Sequence, residues 1–207
     1  MTDKVPVVPP LSKEKIESFA VALLMENQPE VFKGKLPVDI DAIYELYIPK
    51  RLGIETGYTD LSSLGSNVLG YTDASNKKSF VDKSLVDTSD ITALRRGRAT
   101  IGHESGHCLF HVNILNIFQS VLADDGITLR RADRSKLKPY VDPEWQGWEF
   151  ARACLMPRVL VIQYINGRYS IGDMADLFDV NPAFMEVRLK RLGYQTIGKG
   201  RDAHACL

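Results

Sequence analysis

The stretch His103-Glu104-Ser105-Gly106-His107 in the middle of the chain decides how the rest of it is interpreted. On a helix, residues four apart project from the same face, so both imidazoles can reach one metal ion while Glu104 stands beside it. This H-E-x-x-H pattern is typical of zinc enzymes whose glutamate acts as the general base. A catalytic zinc takes three protein ligands and keeps a fourth position for water. The motif therefore predicts a third ligand elsewhere in the chain.

The alternative interpretation is an ordinary helix that carries two histidines and a charged neighbour. Of only four histidines in the chain, three (His103, His107 and His111) fall at four-residue spacing. The flanking residues 99–101 and 108–110 are apolar enough to bury the helix, as a dry metal site requires. We therefore favour the metal site. We expect His111 to be a hydrogen-bonded or exposed histidine, with support of a ligand as the alternative, and we do not assign it to the metal.

The composition indicates a globular protein. The 207 residues are 44% hydrophobic and 25% charged, with 26 basic and 26 acidic side chains, so no overall field directs the chain to nucleic acid or to a membrane. No long apolar run and no secretory signal occur in the sequence. The three cysteines are too scattered for a disulfide framework. From these features we expect a soluble, cytoplasmic protein.

The N-terminal half is predicted to contain two helices and a small sheet. After a loose arm at residues 1–10, Ser12 is a suitable N-cap for a helix that reaches about Asn27, and a second helical stretch runs from about Ile40 to Gly53. Three short β-rich segments, at 54–59, 67–72 and 78–82, predict a largely antiparallel sheet. An edge strand of this sheet could hold a substrate backbone as an added strand.

Two basic segments flank the motif in the sequence. The run RRGR at 95–98 lies on the predicted long helix from about Ile91 to His111, and we interpret it as a solvated face rather than a phosphate site. The segment 124–138 is polar and basic. We interpret it as an exposed loop, with a rim that meets an acidic stretch of substrate as the alternative.

The best candidate for the third metal ligand is Glu144. Pro143 opens a further helix on which Trp148 and Ala151 belong to a buried stripe, and Glu144 shares that stripe one turn earlier. A carboxylate on an apolar face is unfavourable unless it is paired or bound to a metal. Glu149 falls on another face of the helix, and we expect it to be solvated.

Several blocks of the chain together resemble the ImmA/IrrE-type metallopeptidases of bacteria and their mobile elements. The blocks are VLGY at 68–71, RATIGHESGH at 98–107, FARACLMP at 150–157 and MADLFDVN at 174–181. The resemblance implies an α+β fold with a minimal zincin-like core, in which His103, His107 and Glu144 bind Zn²⁺ and Glu104 is the catalytic base. The chain departs from the family at Gly147-Trp148, where an Ala-Asn pair is usual, so the support of the third ligand is expected to differ.

The residues after 157 predict a further helical segment. An apolar helix at 159–165 is followed by helical stretches at 170–178 and 182–192 with a turn between them, which is typical of a helix-turn-helix. We therefore divide the chain into a metallopeptidase domain at 1–157 and a C-terminal helix-turn-helix-like segment at 158–207. The basic excess is small and few side chains are suited to reading bases, which favours protein docking over direct DNA binding.

Two functions are compatible with these features. The first is a cytosolic zinc endopeptidase. Members of the resembled family cleave helix-turn-helix repressors, so the resemblance implies such a repressor as substrate, in a stress response or in derepression of a mobile element. The second is a non-proteolytic anti-repressor, or a protein that binds a regulator or DNA, with a structural zinc. An open coordination position favours the enzyme.

Overall fold

The structure is a computed structural model that describes residues 4–117, 131–198 and 200–206. It has an α+β fold that is mostly helical. Its helices are α1 (Lys13–Asn27), α2 (Ile40–Ala42), α3 (Ile48–Leu52), α4 (Ile91–His107), α5 (Pro143–Leu155), α6 (Arg158–Asn166), α7 (Ile171–Leu177) and α8 (Pro182–Arg191). Its strands are β1 (Lys4–Pro6), β2 (Glu55–Thr59), β3 (Gly70–Asp73), β4 (Lys78–Asp82), β5 (Arg131–Asp133), β6 (Gln195–Ile197) and β7 (His204–Cys206).

Side-chain caps fix where the principal helices begin. Ser12 caps α1, as predicted, and Asp90 caps α4 by accepting a hydrogen bond from the backbone N–H of Thr92. Asp142 caps α5 in the same way through the N–H of Glu144. The helices that carry the HESGH motif and the predicted third ligand therefore start at positions set by local sequence.

Two helical stretches contain a π-helical turn. One turn (Ile43–Tyr47) joins α2 to α3 within the stretch predicted as a single helix. The other (Cys108–Val112) follows α4 directly, and residues 113–117 are helical again. The α-helix predicted to reach His111 thus ends at His107, and His111 lies in the π turn. Among the described residues, no helix is long and apolar enough to cross a membrane.

The three-stranded sheet has the order β2-β4-β3. Strand β3 is antiparallel to β4 in a tight hairpin, but β2 is parallel to β4. The prediction of a largely antiparallel sheet is therefore wrong for the β2–β4 pair. The chain reverses direction between β2 and β3 and reverses again in the β3–β4 hairpin, so β4, which lies beside β2, runs in the same direction as β2.

The order of the sheet leaves β3 at an edge. The carbonyl of Leu69 accepts a hydrogen bond from the backbone N–H of Asp82, so the main-chain groups of Leu69 face β4. Those of Tyr71, two residues further along the strand, face β4 as well. Since main-chain groups alternate in direction along an antiparallel strand, those of Gly70 and Thr72 face the open edge. This edge borders the HESGH helix.

The N-terminal arm is not loose, because β1 pairs with β5 in an antiparallel two-stranded sheet. The segment 124–138, predicted as an exposed basic loop, lies outside the described residues up to 130. From Arg131 it forms β5 and then a 3₁₀ turn (Arg134–Lys136). The hairpin of β6 and β7 after α8 has no counterpart in the sequence predictions.

One hydrophobic core includes residues from both sides of position 157. It contains Leu24 of α1, Ile101 of α4 and Phe150 of α5 together with Met174 of α7 and Leu189 of α8. Residues of the two predicted domains therefore bury apolar surface against each other, and the division at 157 stays a prediction.

The RRGR run attaches the C-terminal helices to α4, so its interpretation as a solvated face is wrong for two of its arginines. Arg95 and Arg98 have side chains only 12% and 13% exposed. Arg95 binds Asp176 at 2.9 Å and Asp179 at 3.0 Å, and Arg98 binds the Asp179 carbonyl at 3.0 Å. Only Arg96 of the three is exposed. The acidic partners lie more than eighty residues away in the sequence, where no local pattern could reveal them.

Candidate metal centre

Helices α4 and α5 pack along each other at glycines. A Cβ atom on Gly106 would lie 2.9 Å from the Cα of Gly147, and one on Gly102 would lie 3.1 Å from the Cβ of Ala151. These small residues let the two backbones come close, because any larger side chain would have to fit into a filled interface. The close crossing brings Glu144 on α5 opposite the histidines of α4.

The structure brings His103, His107 and Glu144 together in a cluster that could hold a metal ion. The two Nε2 atoms are 3.0 Å apart. The Glu144 carboxylate oxygens lie 3.3 Å from His103 Nε2 and 3.4 Å from His107 Nε2. A tetrahedral zinc with bonds of about 2.0–2.1 Å needs ligand atoms separated by about 3.3 Å. Both the donor types and their separations therefore fit such an ion.

The charges of the cluster also favour a cation. Burial alone would raise the pKa of Glu144, but hydrogen bonds with His103 and His107 and their charges outweigh it, and the pKa is lowered. Burial alone would lower the pKa of His107, but its hydrogen bond to Glu144 and the nearby carboxylates raise it above 6.5. Each shift stabilises positive charge beside the Glu144 carboxylate.

A buried chain of hydrogen bonds orients His107. The amide nitrogen of Gln146 donates to the carbonyls of Pro9 (3.0 Å) and Tyr140 (2.8 Å), so its oxygen must accept from Nε2–H of His111 at 2.9 Å. Burial, with the charge of His107, lowers the pKa of His111 to about 3, so this ring is neutral and its Nδ1 accepts from His107 Nδ1 at 2.9 Å. When His107 gives up its second proton to bind a metal, this bond keeps the remaining proton on Nδ1 and leaves the lone pair on Nε2, directed into the cluster.

His103 is supported in a different way. Its Nδ1 atom is buried and has no hydrogen-bond partner among the described residues. The indole of Trp148 stacks on its ring, with centroids 4.3 Å apart and planes 27° apart. A Cβ on residue 147 would lie 2.9 Å from His103 Nδ1, and Gly147 avoids that contact. The Gly147-Trp148 pair, which departs from the resembled family, therefore gives this ring a stacking surface in place of a hydrogen bond.

Glu104 is buried beside the cluster at the end of a row of hydroxyls. It is 4% exposed, and its Oε2 atom accepts a 2.5 Å hydrogen bond from Thr72. Thr72 contacts the hydroxyl of Ser79 at 2.9 Å, which in turn accepts from Tyr44 at 3.0 Å. Because each hydroxyl donates one proton, the row runs from Tyr44 through Ser79 and Thr72 to the carboxylate. On the other side, a Cβ on Gly70 would overlap with Oε1, so the β3 backbone also confines this carboxylate.

Glu149 is buried, which contradicts the expectation that it is solvated. It is 1% exposed, and its carboxylate contacts Arg152 at 3.0 Å and Arg191 at 3.2 Å. Helix α5 packs against both α1 and α4, and α8 supplies Arg191, so the face that the sequence pattern left to solvent is covered.

The cluster lies between two arms of one cleft. Cavities of about 270 Å³ and about 700 Å³ share the lining residues Gly70, His103, Glu104 and Glu144. The smaller arm continues past the edge of β3 towards His111. The larger arm runs between the residues before β3, the first half of α4, and α8. Neither the two arms nor the hydroxyl row was visible in the sequence.

The fold of this chain is similar to that of a known structure. The chain resembles a solved structure described as a Mycobacterium tuberculosis transcriptional regulator, with a TM-score of 0.54 and 18% sequence identity over 86% of this chain. The chain spans 46% of the length of that structure. At this identity the similarity concerns the fold alone. No protein-family model and no curated protein matches the chain.

Proposed function

We propose that the chain is a zinc-dependent endopeptidase of the ImmA/IrrE type with a zincin-like core. The observation that carries the proposal is the separation of the three donor atoms, 3.0, 3.3 and 3.4 Å, with a buried carboxylate beside them. His103, His107 and Glu144 would hold the ion and leave a fourth position open. Bound there, Zn²⁺ would bring the pKa of a water ligand down to about 7 and polarise a carbonyl group.

Glu104 is the proposed general base. Its Oε2 atom is occupied by the hydroxyl of Thr72, which leaves Oε1 to take the proton of the attacking water. The same carboxyl group can then deliver that proton to the leaving amine. A single carboxyl group is sufficient for both transfers, and the hydrogen bond from Thr72 holds its other oxygen in place.

The cleft supports an endopeptidase over an exopeptidase. Because it continues on both sides of the ligand cluster, an extended polypeptide can pass over the cluster in both directions from the scissile bond. The main-chain groups of Gly70 and Thr72 at the open edge of β3 are suited to pairing with such a segment as an added strand.

The proposed substrate is a helix-turn-helix repressor, as the resemblance implies. The placement of α8 supports a protein partner over DNA. Met185, Arg188 and Leu189 are buried on one side of this helix, while Phe184 and Val187 line the cleft on another. The exposed face of α8 carries Ala183, Glu186, Val187 and Lys190, whose charges cancel, so it matches the phosphates beside a major groove poorly.

Replacing Glu104 by Gln tests the proposal. The wild-type chain loaded with one equivalent of zinc is expected to cleave an unfolded protein such as β-casein and, more selectively, the product of a neighbouring regulator gene. Glu104→Gln is expected to keep the zinc and lose the cleavage, because the amide cannot accept the proton. The exposed Glu186→Gln is the matched control and should change neither property.

Three outcomes separate the proposed enzyme from its rival. Cleavage by Glu104→Gln at the wild-type rate would remove this residue from the mechanism. A chain that binds no zinc would overturn the metal centre. Equal release of a repressor from its operator by wild type and by Glu104→Gln would support the anti-repressor with a structural zinc instead.

A further inference from the structure

The larger arm of the cleft is a mainly apolar groove that begins at the metal ligands. Its volume is about 700 Å³, within the range of sites that bind side chains and small ligands. Val187 on α8 lines the groove and is 42% exposed. Covering its side chain with an apolar group would be favourable, because this removes apolar surface from water. The apolar side chains that form the walls of the groove include Val68, Leu69, Ala99, Trp148, Phe184 and Val187.

The wall formed by α8 is fixed in place. Asn181, just before the helix, donates a 3.1 Å hydrogen bond to the carbonyl of Thr92 on α4. Arg188 is fully buried and binds Glu17 and the carbonyl of Met156. Phe184 lies edge-on to Trp148, with ring centroids 6.2 Å apart. The groove is therefore present before a ligand enters, and little ordering would oppose binding.

Distances along helix α4 show how many substrate residues the groove can accommodate. Ala99 and Arg96 precede His103 by four and seven residues, which places them about 6 Å and about 10 Å along the helix at 1.5 Å per residue. An extended chain advances about 3.3 Å per residue. A side chain over Ala99 would thus belong to the second residue from the metal, and the third would reach Arg96.

Arg96 gives the outer end of the groove a positive charge. It is exposed, and no hydrogen bond or ion pair of its side chain occurs among the described residues. Its neighbour Arg95 is occupied by Asp176 and Asp179. A carboxylate is therefore the complementary group at this end.

We propose that the larger arm is a specificity subsite for a bulky apolar side chain of the substrate within two residues of the scissile bond. The next substrate residue, farther from the metal, is acidic and faces Arg96. This proposal rests on the proposed function. Trp148, Phe184 and Val187 are the specificity-determining residues of the subsite. Helix α8 then serves to select the substrate, in addition to stabilising the fold.

Peptidyl hydroxamates test the subsite without requiring turnover. Two tripeptide series that extend from the chelating group in opposite directions are titrated into the zinc-loaded full chain by calorimetry, with leucine, glycine or aspartate at the second position. In one series leucine is expected to bind about 10-fold to 100-fold more tightly than glycine, from the apolar surface it buries. Val187→Glu and the groove-filling Val187→Trp should both abolish the preference, whereas Val159→Glu, an exposed valine outside the cleft, should retain it.

A second comparison tests the acidic substrate residue that is proposed to face Arg96. With aspartate or lysine at the third position, wild type should favour aspartate by about two- to five-fold at low salt, as expected for one exposed ion pair. Arg96→Glu should reverse this order. The matched exposed Arg51→Glu, which does not line the groove, should not.

The outcomes distinguish the subsite from the metal centre. Hydroxamates that bind without discriminating side chains, or a leucine preference that survives Val187→Glu, overturn the subsite and leave the zinc site standing. A zinc-loaded chain that binds neither series also overturns it, because an accessible ion beside this groove must chelate the probe. A chain without zinc overturns the proposed function itself.

Discussion

Replacing Glu17 by Ala should destabilise the whole chain, because it leaves a buried guanidinium without its counter-charge. Arg188 on α8 is 0% exposed, and both of its terminal nitrogens bind the Glu17 carboxylate on α1, one of them at 2.9 Å. Its Nε atom donates to the Met156 carbonyl at 3.0 Å. Removal of one partner of such a buried pair lowers the free energy of unfolding by about 3–5 kcal/mol.

The expected shift in melting temperature follows from the size of the chain. For 207 residues, an unfolding entropy of about 2.1 cal/mol/K per residue gives roughly 0.43 kcal/mol/K. The loss of about 3–5 kcal/mol then lowers Tm by about 7–12 °C. Scanning calorimetry and urea unfolding of the metal-free protein measure both quantities.

Two variants complete this experiment. Glu186→Ala removes an exposed glutamate from α8 and should change stability by less than about 0.5 kcal/mol. The double variant Glu17→Leu with Arg188→Met should recover most of the loss, because apolar replacement of a buried ion pair is often neutral. A loss below about 1 kcal/mol for Glu17→Ala would refute the reasoning. Two separate transitions, of which only one moves, would instead support independent domains at 1–157 and 158–207.

Three further predictions concern the metal centre. Thr72→Val removes the hydrogen bond that holds Oε2 of Glu104, so the carboxylate loses its fixed orientation and kcat should fall by about 10-fold to 100-fold with KM and zinc content unchanged. Thr72→Ser should restore the rate, and a fully active valine variant would contradict the role of the hydroxyl. Gln146→Leu should weaken zinc binding by about 10-fold to 100-fold in a competition with a chelator, because the orientation of His107 loses its anchor. Unchanged affinity would show that the chain of hydrogen bonds has no effect on the metal. The raised pKa of His107 stabilises the metal-free fold below about pH 6.5 and loses that contribution as the pH rises through the folded value, so zinc affinity should increase with pH through and above 6.5 in calorimetric titrations. An affinity that is flat over this interval would mean that the proton does not compete with zinc.

The parts of the molecule that the sequence predicted are set by local rules. Ser12 begins α1 because its hydroxyl caps that helix. The spacing of His103 and His107 follows from the helical period, and Glu144 was identified because a carboxylate on an apolar face needs a partner. These three residues come together in the structure.

The parts that the sequence did not predict depend on contacts between distant residues. Glu149 is buried because α8 supplies Arg191 to it, and Arg95 is occupied by acidic groups of the C-terminal helices. Thr72 reaches Glu104 only because the β3–β4 hairpin lies against α4. Periodicity along one segment contains no information about such neighbours.

The hydrogen bond from Gln146 to the carbonyl of Pro9 connects the segment before α1 to the candidate metal centre. A shortened version beginning at Lys13 would lack that acceptor and also the Leu11 N–H that binds the Tyr140 carbonyl, so the amide that orients His111 would lose one partner and the support of the other. Truncation or protease trimming ahead of the first helix is therefore expected to lower zinc retention, even though neither removes a ligand.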